Sequence, residues 1–496
     1  MHFIWTTLSY AYLALQVLLA SWLVQPLILL LVYGITRLLG IRPHPTPFHS
    51  VTRDYQFGIV ITAHRETAFL PPIIDSLLKQ THTRFNVYIV ADDCDTSRLV
   101  FRDPRIHILR PPVPLHDQLA SLDFGWRHLD RQDEVLIIFD PDNLVHPDFL
   151  RTLNAWYNSG YRAVVGHMQS KNRETTYAQI DGWGASLSNF MERDMRSLLG
   201  LSPNISGSGI SVHKEVYDII HYDRRSRTGG FDKQLQMGTV KAVHRIAYAR
   251  DALFYDEKVG DSHNFERQRI RWIAAHFKFL GNAFHLLLTG IRKRDGNLVY
   301  FGYNLIRPPW FILLTLSFLM MATDWLIDPR LSIAWLACFA AFSLSFLLIV
   351  AKDISNKSPV KALANIPRIF YRQFRALLRL RLNKTSLLKT THSELVYIDD
   401  IIRPQAQPQP PANLTPSSAN FARPPINHNP SPANFAQPSA NLVHPPTTAA
   451  STPPPAPAST TQNPPPGYAS SPPSPGEDKK PDYAHSRSSR PIFPST

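Results

Sequence analysis

The chain has 496 residues, enough for two or three domains, and carries 52 Lys and Arg against 38 Asp and Glu, for a formal net charge of +14 and a pI near 9.7. Its two cysteines, Cys94 and Cys338, have no second cysteine or histidine at metal-site spacing, which argues against both a disulfide-stapled fold and a structural zinc site. So basic a balance points to anionic partners: a membrane surface, phosphorylated substrates or nucleic acid.

Residues 9–36, SYAYLALQVLLASWLVQPLILLLVYGIT, hold no charged side chain and are long enough to cross a hydrocarbon core of roughly 30 Å. No basic stretch precedes them and no small-residue cleavage site closes them, so they read as a retained transmembrane helix bent near Pro26. This sets residues 1–40 apart as a membrane unit.

Residues 50–264 have the pattern of an α/β domain. FGIVITAH (57–64) reads as a buried strand, LPPIIDSLLKQ (70–80) as a helix, and NVYIVADD (86–93) and DEVLIIFDPD (133–142) as two further strands. Alternating strands and helices imply a mainly parallel sheet, in which ligands bind beyond the carboxyl ends of the strands. Acids sit at those ends: Glu66 after the first strand, Asp92 and Asp93 after the second, Asp140 and Asp142 after the third. Two carboxylates two residues apart can share a divalent cation that also grips a diphosphate, because hard cations seek oxygen ligands. A turn with Asx caps is the alternative for FDPDN. Asp232, in TGGFDKQLQ, follows a glycine pair that lets a loop approach a ligand closely, or it caps a helix.

ERQRIRWIAAHF (266–277) places Gln268, Arg271 and Trp272 within about one helical turn, on one face. It opens an amphipathic helix, within a 265–296 segment, whose later Phe277, Leu280, Phe284, Leu287 and Leu288 suit a core or a membrane surface. Two more apolar spans follow, Pro308–Ile327, broken by Asp324, and Leu331–Ala351, within a 300–351 unit. Lys and Arg are dense after Ala351 and absent before Arg37, so the positive-inside rule puts the N-terminus outside and residues 40–300 and the C-terminal tail in the cytoplasm of a multi-pass protein, expected in the plasma (inner) membrane.

Within 352–400, PVKALANIPRIFYRQFRALLRLRL (359–382) lines up Arg368, Arg372, Arg375 and Arg379 along a helical stripe. A basic amphipathic helix beside a span suits anionic headgroups; nucleic acid is disfavoured, since aromatic stacking platforms are lacking. Residues 401–496 hold 25 of the 43 prolines and a degenerate repeat, SSANFARP and SPANFAQP, a composition that cannot bury a core and is expected to be disordered.

Taken in order, these pieces resemble the family 2 glycosyltransferases, in particular the membrane-embedded branch of cellulose, hyaluronan and chitin-oligosaccharide synthases. TAHRE (62–66) looks like the family's first-strand motif, VADDCD (90–95) like its second-strand acidic motif and FDPDN (139–143) like its DxD. GSGISV (207–212) is similar to the acceptor-side glycine loop, FDKQLQ (231–236) to the segment bearing the catalytic base, and QRIRW (268–272) to the QxxRW signature. The resemblance implies a GT-A-like fold and inverting transfer of a sugar from a nucleotide sugar, expected to be UDP-linked, to a growing polysaccharide. It implies Asp232 as base, Mg2+ or Mn2+ on Asp140 and Asp142, Glu66 and Asp92 in the nucleoside pocket, Lys171 and Arg271 at the diphosphate, and Gln268 and Trp272 at the acceptor.

The chain departs from the pattern in having Phe231-Asp232 where the family has Glu-Asp, and in showing three spans where processive members have more. It is therefore expected to oligomerise, to take a partner subunit, or to glycosylate a lipid, as ceramide-type glycosyltransferases do. A degenerate, non-catalytic membrane scaffold is the remaining alternative, opposed by the intact Asp140, Asp142, Asp232 and Arg271.

Overall fold

The computed structural model describes residues 2–41, 46–47, 51–220, 230–351, 365–378 and 395–402. The expected disordered tail and its repeat lie outside these residues from 403 on, as do Arg379 and both flanks of the basic segment.

Eight strands form one sheet: β1 Phe57–His64, β2 Phe85–Asp92, β3 Ile106–Leu109, β4 Val135–Phe139, β5 Leu144–Val145, β6 Ala163–Ser170, β7 Ile210–His213 and β8 Ala247–Asp256, in the order β3-β2-β1-β4-β7-β6-β8-β5. The predicted parallel half is present, with β1 pairing in parallel to β2 and β4, and β2 to β3. β7 enters antiparallel to both β4 and β6, a reversal that four residues of Ile-Ser-Val-His gave no means to foresee.

The sheet is buried on both faces, which is why its central strands read as continuous apolar runs. Ile59, Ile61, Ile137 and Phe139 pack with Ile73, Leu77, Phe149 and Phe254 on one side. Val60, Val90, Leu136 and Ile138 pack with Leu122, Ile210 and Leu235 on the other. The helices up to Ile306 are α1 His2–Leu38, α2 Leu70–Leu78, α3 Gln118–Arg127, α4 Phe149–Asn158, α5 Thr176–Asn189, α6 Met195–Leu198, α7 Lys214–Asp218, α8 Phe231–Ala242, α9 Ser262–Lys293 and α10 Gly296–Ile306; a π-helical turn, Phe190–Asp194, joins α5 to α6.

Among the described residues, three helices are long and apolar enough to cross a membrane: α1 over Phe3–Leu38, continuing through Pro26, then α11 Trp310–Ile327 and α12 Pro329–Val350. They pack through Leu19, Trp22, Leu23, Leu313 and Trp335. The Asp324 that interrupts the second predicted span is fully buried and accepts hydrogen bonds from Tyr12 Oη (2.8 Å), Gln16 Nε2 (2.8 Å) and Trp335 Nε1 (2.8 Å). A carboxylate inside an apolar bundle persists when its oxygens are so satisfied. Further along α1, Leu29, Val32 and Tyr33 pack on Leu187, Met191 and Met195, so the apolar helices are joined to the α/β body through α5 and the π turn.

Two short pieces complete the described chain, α13 Ile366–Leu378 and α14 Ile398–Ile402. α13 lies on α9: Ile369 packs with Val259 and Phe265, and Phe370 and Leu377 with Ile273 and Phe311. Two arginines of the predicted headgroup stripe turn inward. Arg375 pairs with Glu266 at 2.7 Å, and the Arg372 guanidinium lies 5.9 Å from the Tyr177 ring centroid. Glu266 is buried and needs a counter-charge, which Arg375 supplies.

Candidate active site

The centre of the site is the turn Asp140–Asn143, which leaves β4 at its carboxyl end. Asn143 ties it: its Oδ1 accepts from the Asp140 N–H (3.1 Å), its own N–H donates to Asp140 O (3.1 Å), and its Nδ2 donates to Asp256 Oδ1 (3.1 Å) at the end of β8. This pins the first carboxylate beside a second strand end, and Asn143 is a residue the sequence reading left without a role.

Segments far apart in sequence meet this turn. Ser208 of the glycine loop donates to Asp140 Oδ2 at 2.5 Å, and Gln118 Nε2 to Oδ1 at 3.2 Å. Gly209 holds φ +66°, and a Cβ there would come within 2.2 Å of Phe254 Cε1, so only glycine brings the loop in this close. Asp142 is buried, and its backbone carbonyl accepts from Lys171 Nζ at 3.4 Å. Lys258 pairs with Asp256 at 2.8 Å; burial alone would lower its pKa, but Asp256 and Asp181 outweigh burial and hold it above the ordinary lysine value. From α9, Arg271 comes near enough for Asp140 to oppose the pKa-lowering effect of its burial.

The acids Asp140, Asp142, Asp256 and Glu257 thus face the bases Lys171, Lys258 and Arg271, with Lys171 lying 3.8 Å from Glu257. That leaves an excess of one negative charge around an oxygen-rich turn, a donor set that suits a hard divalent cation such as Mg2+ or Mn2+.

Asp232 stands in the first turn of α8, after Gly230 at φ 81°. A Cβ added at Gly207 would lie 3.8 Å from its Cβ, so the glycine loop that touches Asp140 also runs beside the base candidate. Gln268, one turn before Arg271 on α9, keeps a buried Oε1 with no hydrogen-bond partner, an atom whose desolvation a bound polar ligand would relieve. Trp272 is 49% exposed, with the Arg269 guanidinium 4.3 Å from its ring centroid.

Asp92 and Glu66 lie at the ends of β2 and β1. The Asp92 carboxylate is buried and committed: Oδ1 accepts from Leu115 N (2.6 Å), and Oδ2 from His116 N (2.8 Å) and His64 Nδ1 (3.0 Å). It therefore presents the His64 and His116 rings, edge to face at 5.2 Å, rather than itself. Arg65, Asp93 and His116 around it adopt left-handed backbone at φ 58°, 54° and 49°, a sparsely populated region for such residues that surrounding contacts must hold. Glu66 is half-buried beside Cys94, whose thiol pKa is raised by burial against the opposing backbone of Glu66 and Arg65.

A second charged cluster, which no motif flagged, lies next to α8. Glu192, in the π turn, pairs with Arg307 and accepts from Asn204 Nδ2 at 2.5 Å. Burial would raise its pKa, yet Arg307, Arg196, Lys233 and Arg193 pull it down to about 2. Glu192→Gln leaves these cations without their counter-charge and is expected to lose about 3–5 kcal/mol of stability. Because the folded pKa lies below the ordinary 4.5, the glutamate's contribution is complete above that value and fades as pH falls toward about 2. Urea unfolding of both proteins in detergent should show a gap that narrows over that window; a gap that does not change with pH would count against the assignment.

Residues 55–275 match the family model described as glycosyltransferase like family 2. The α/β body has a GT-A-like fold and is similar to that family over this range. No curated protein matches the chain. Among solved structures, the mannosyltransferase PcManGT from Pyrobaculum calidifontis, in complex with GDP-Man and Mn2+, is similar at 14% identity and TM-score 0.41, over 74% of this chain and 97% of that one. S. aureus TarS 1-349 in complex with UDP-GlcNAc is similar at 12% identity and TM-score 0.34, over 65% of this chain and 92% of that one. The family match takes in all eight strands of the α/β body and the start of α9, and ends beyond Arg271 and Trp272.

Proposed function

We propose that this protein is a membrane-bound inverting glycosyltransferase that moves a hexose or N-acetylhexosamine from a UDP-linked donor to a growing polysaccharide. The observation that carries the reading is the convergence of Ser208, Lys171, Asn143 with Asp256, and Arg271 on the Asp140–Asp142 turn. In this reading Asp140 and Asp142 hold Mg2+ or Mn2+, which neutralises charge on the departing diphosphate. Arg271 and Lys171 add positive charge at the same leaving group. Glu66 and Asp92 shape the nucleoside pocket, Asp92 through the two histidines it orients. Gln268 and Trp272 receive the acceptor sugar, the indole as an apolar platform. Asp232 takes the proton of the acceptor hydroxyl as its oxygen bonds to the anomeric carbon and the bond from that carbon to the diphosphate breaks. A single displacement of this kind inverts the anomeric configuration.

The catalytic domain lies on the cytoplasmic side of the plasma (inner) membrane in this reading. It is supported by Arg37 at the domain-side end of α1 and by α13 and α14, which follow the α11–α12 hairpin and dock again on the domain. A second copy or a partner subunit would complete a route for polymer. A lipid acceptor is the second reading, favoured by the way Tyr12, Gln16 and Trp335 all satisfy Asp324 inside the bundle instead of facing a path.

Purified membranes incubated with a panel of radiolabelled nucleotide sugars decide between them. Label from a UDP-sugar should appear in polymeric product and vanish with EDTA. Label in the organic phase selects the lipid acceptor, and transfer from no donor in the presence of Mg2+ or Mn2+ would overturn both readings.

A further inference from the structure

The chain beyond the α11–α12 hairpin returns to the edge of the catalytic sheet. β5 consists of Leu144–Val145, stands at the end of the strand order, and begins directly after Asn143. Two ladder pairs, Leu144 with Tyr255 and Val145 with Phe254, join it to β8. So short an edge strand has little hydrogen bonding of its own to hold it, and local opening is easiest where such contacts are few. It is held from two sides instead. On one side Ser76 Oγ of α2 accepts from the Val145 N–H at 3.1 Å. On the other, Ile398 of α14 is fully buried against Leu144 and Tyr255, with Ile401 beside it.

Polar contacts lock α14 in that place. Lys79 of α2 bonds Asp399 at 2.9 Å and Asp75 at 2.7 Å. The Asp400 N–H donates to Tyr397 O, and the Tyr397 N–H to Asp400 Oδ2, both at 3.1 Å, closing the turn at the head of the helix. Tyr255, the other wall of the Ile398 site, immediately precedes Asp256, which accepts from Asn143 and Lys258. One isoleucine therefore rests on the residues next to both carboxylate-bearing strand ends.

We propose that residues 395–402 are a clamp belonging to the catalytic domain, in which Ile398 is a positioning residue that fixes the Asp140–Asn143 turn through Leu144 and Tyr255. The packing half of this inference stands on the contacts above; its consequence for metal binding rests on the reading of Asp140 and Asp142 as metal ligands. A helix that only covered an apolar spot would affect global stability and leave metal affinity alone.

The test uses the full chain, Ile398→Ala, Ile398→Val, and chains ending at Ile402 and at Glu394, all purified in detergent. Amide exchange of Leu144 and Val145 should quicken by about tenfold, a factor equivalent to ~1.4 kcal/mol, in Ile398→Ala and in the chain ending at Glu394. It should return toward the full-chain rate in Ile398→Val and match that rate in the chain ending at Ile402. The Mn2+ concentration that half-saturates binding in the presence of UDP should rise by a similar factor of about ten in the same two proteins. Unchanged exchange in Ile398→Ala overturns the clamp. Faster exchange with unchanged Mn2+ affinity overturns its role at the metal turn. If the full chain itself binds no Mn2+ with UDP, the glycosyltransferase reading fails and the exchange data still decide the clamp. Should the chain ending at Glu394 not fold, Ile398→Ala and its valine partner give the answer.

Discussion

Asp142→Asn is expected to lower sugar transfer by about a thousandfold or more, the equivalent of ~4 kcal/mol of transition-state stabilisation, while the protein still inserts and folds. The side chain keeps its shape and loses the formal charge that a hard cation needs from its ligand. Asp142 sits buried behind a turn already closed by Asn143 and Asp256, so an amide there should leave the backbone in place. Wild-type transfer should fall equally with EDTA and return with Mn2+ or Mg2+. Full turnover by the variant, or wild-type turnover indifferent to EDTA, would remove the metal role from this turn.

Asp232→Asn should cost roughly a hundredfold to ten-thousandfold in kcat, the range associated with losing a positioned general base, with UDP affinity nearly unchanged. An amide cannot accept the hydroxyl proton, and Asp232 lies beside Gly207 of the glycine loop whose Ser208 bonds Asp140. The same variant tests the bland alternative. If Asp232 merely helps start the helix, the loss should appear in thermal stability and in UDP binding together, with normal turnover by the folded fraction.

How far the site could be read in advance differed residue by residue. Asp140 and Asp142 were visible because they follow VLIIF, a run whose burial on both sheet faces requires an unbroken apolar string. Arg271 and Gln268 were visible through their helical spacing to each other, although nothing in that spacing says that Arg271 reaches Asp140. Ser208, Asn143, Asp256 and Lys258 went unassigned: each is a common polar residue, and the bonds that bring the segments together, Ser208 to Asp140 and Asn143 to Asp256, join positions 68 and 113 residues apart. Asp92 was expected to line the nucleoside pocket, and the bonds its carboxylate makes to two backbone amides and His64 could not be read from the sequence.

What the sequence by itself determined are the features that depend on neighbours within a few residues or on solvent alone. Three long stretches are apolar and, as helices, long enough to cross a bilayer, a property that length and composition alone decide. The three strands and one helix predicted at the start of the domain follow from local periodicity. The tertiary structure alone decided which distant ends meet. The antiparallel entry of β7 between β4 and β6 carries the glycine loop to Asp140, and the pairing of β5 with β8 carries Asp256 to Asn143. Arg375 turns from the predicted headgroup zone to Glu266, and Ile398 closes over Leu144, because burying a charge or an apolar side chain is settled by whichever partner the finished fold brings within reach.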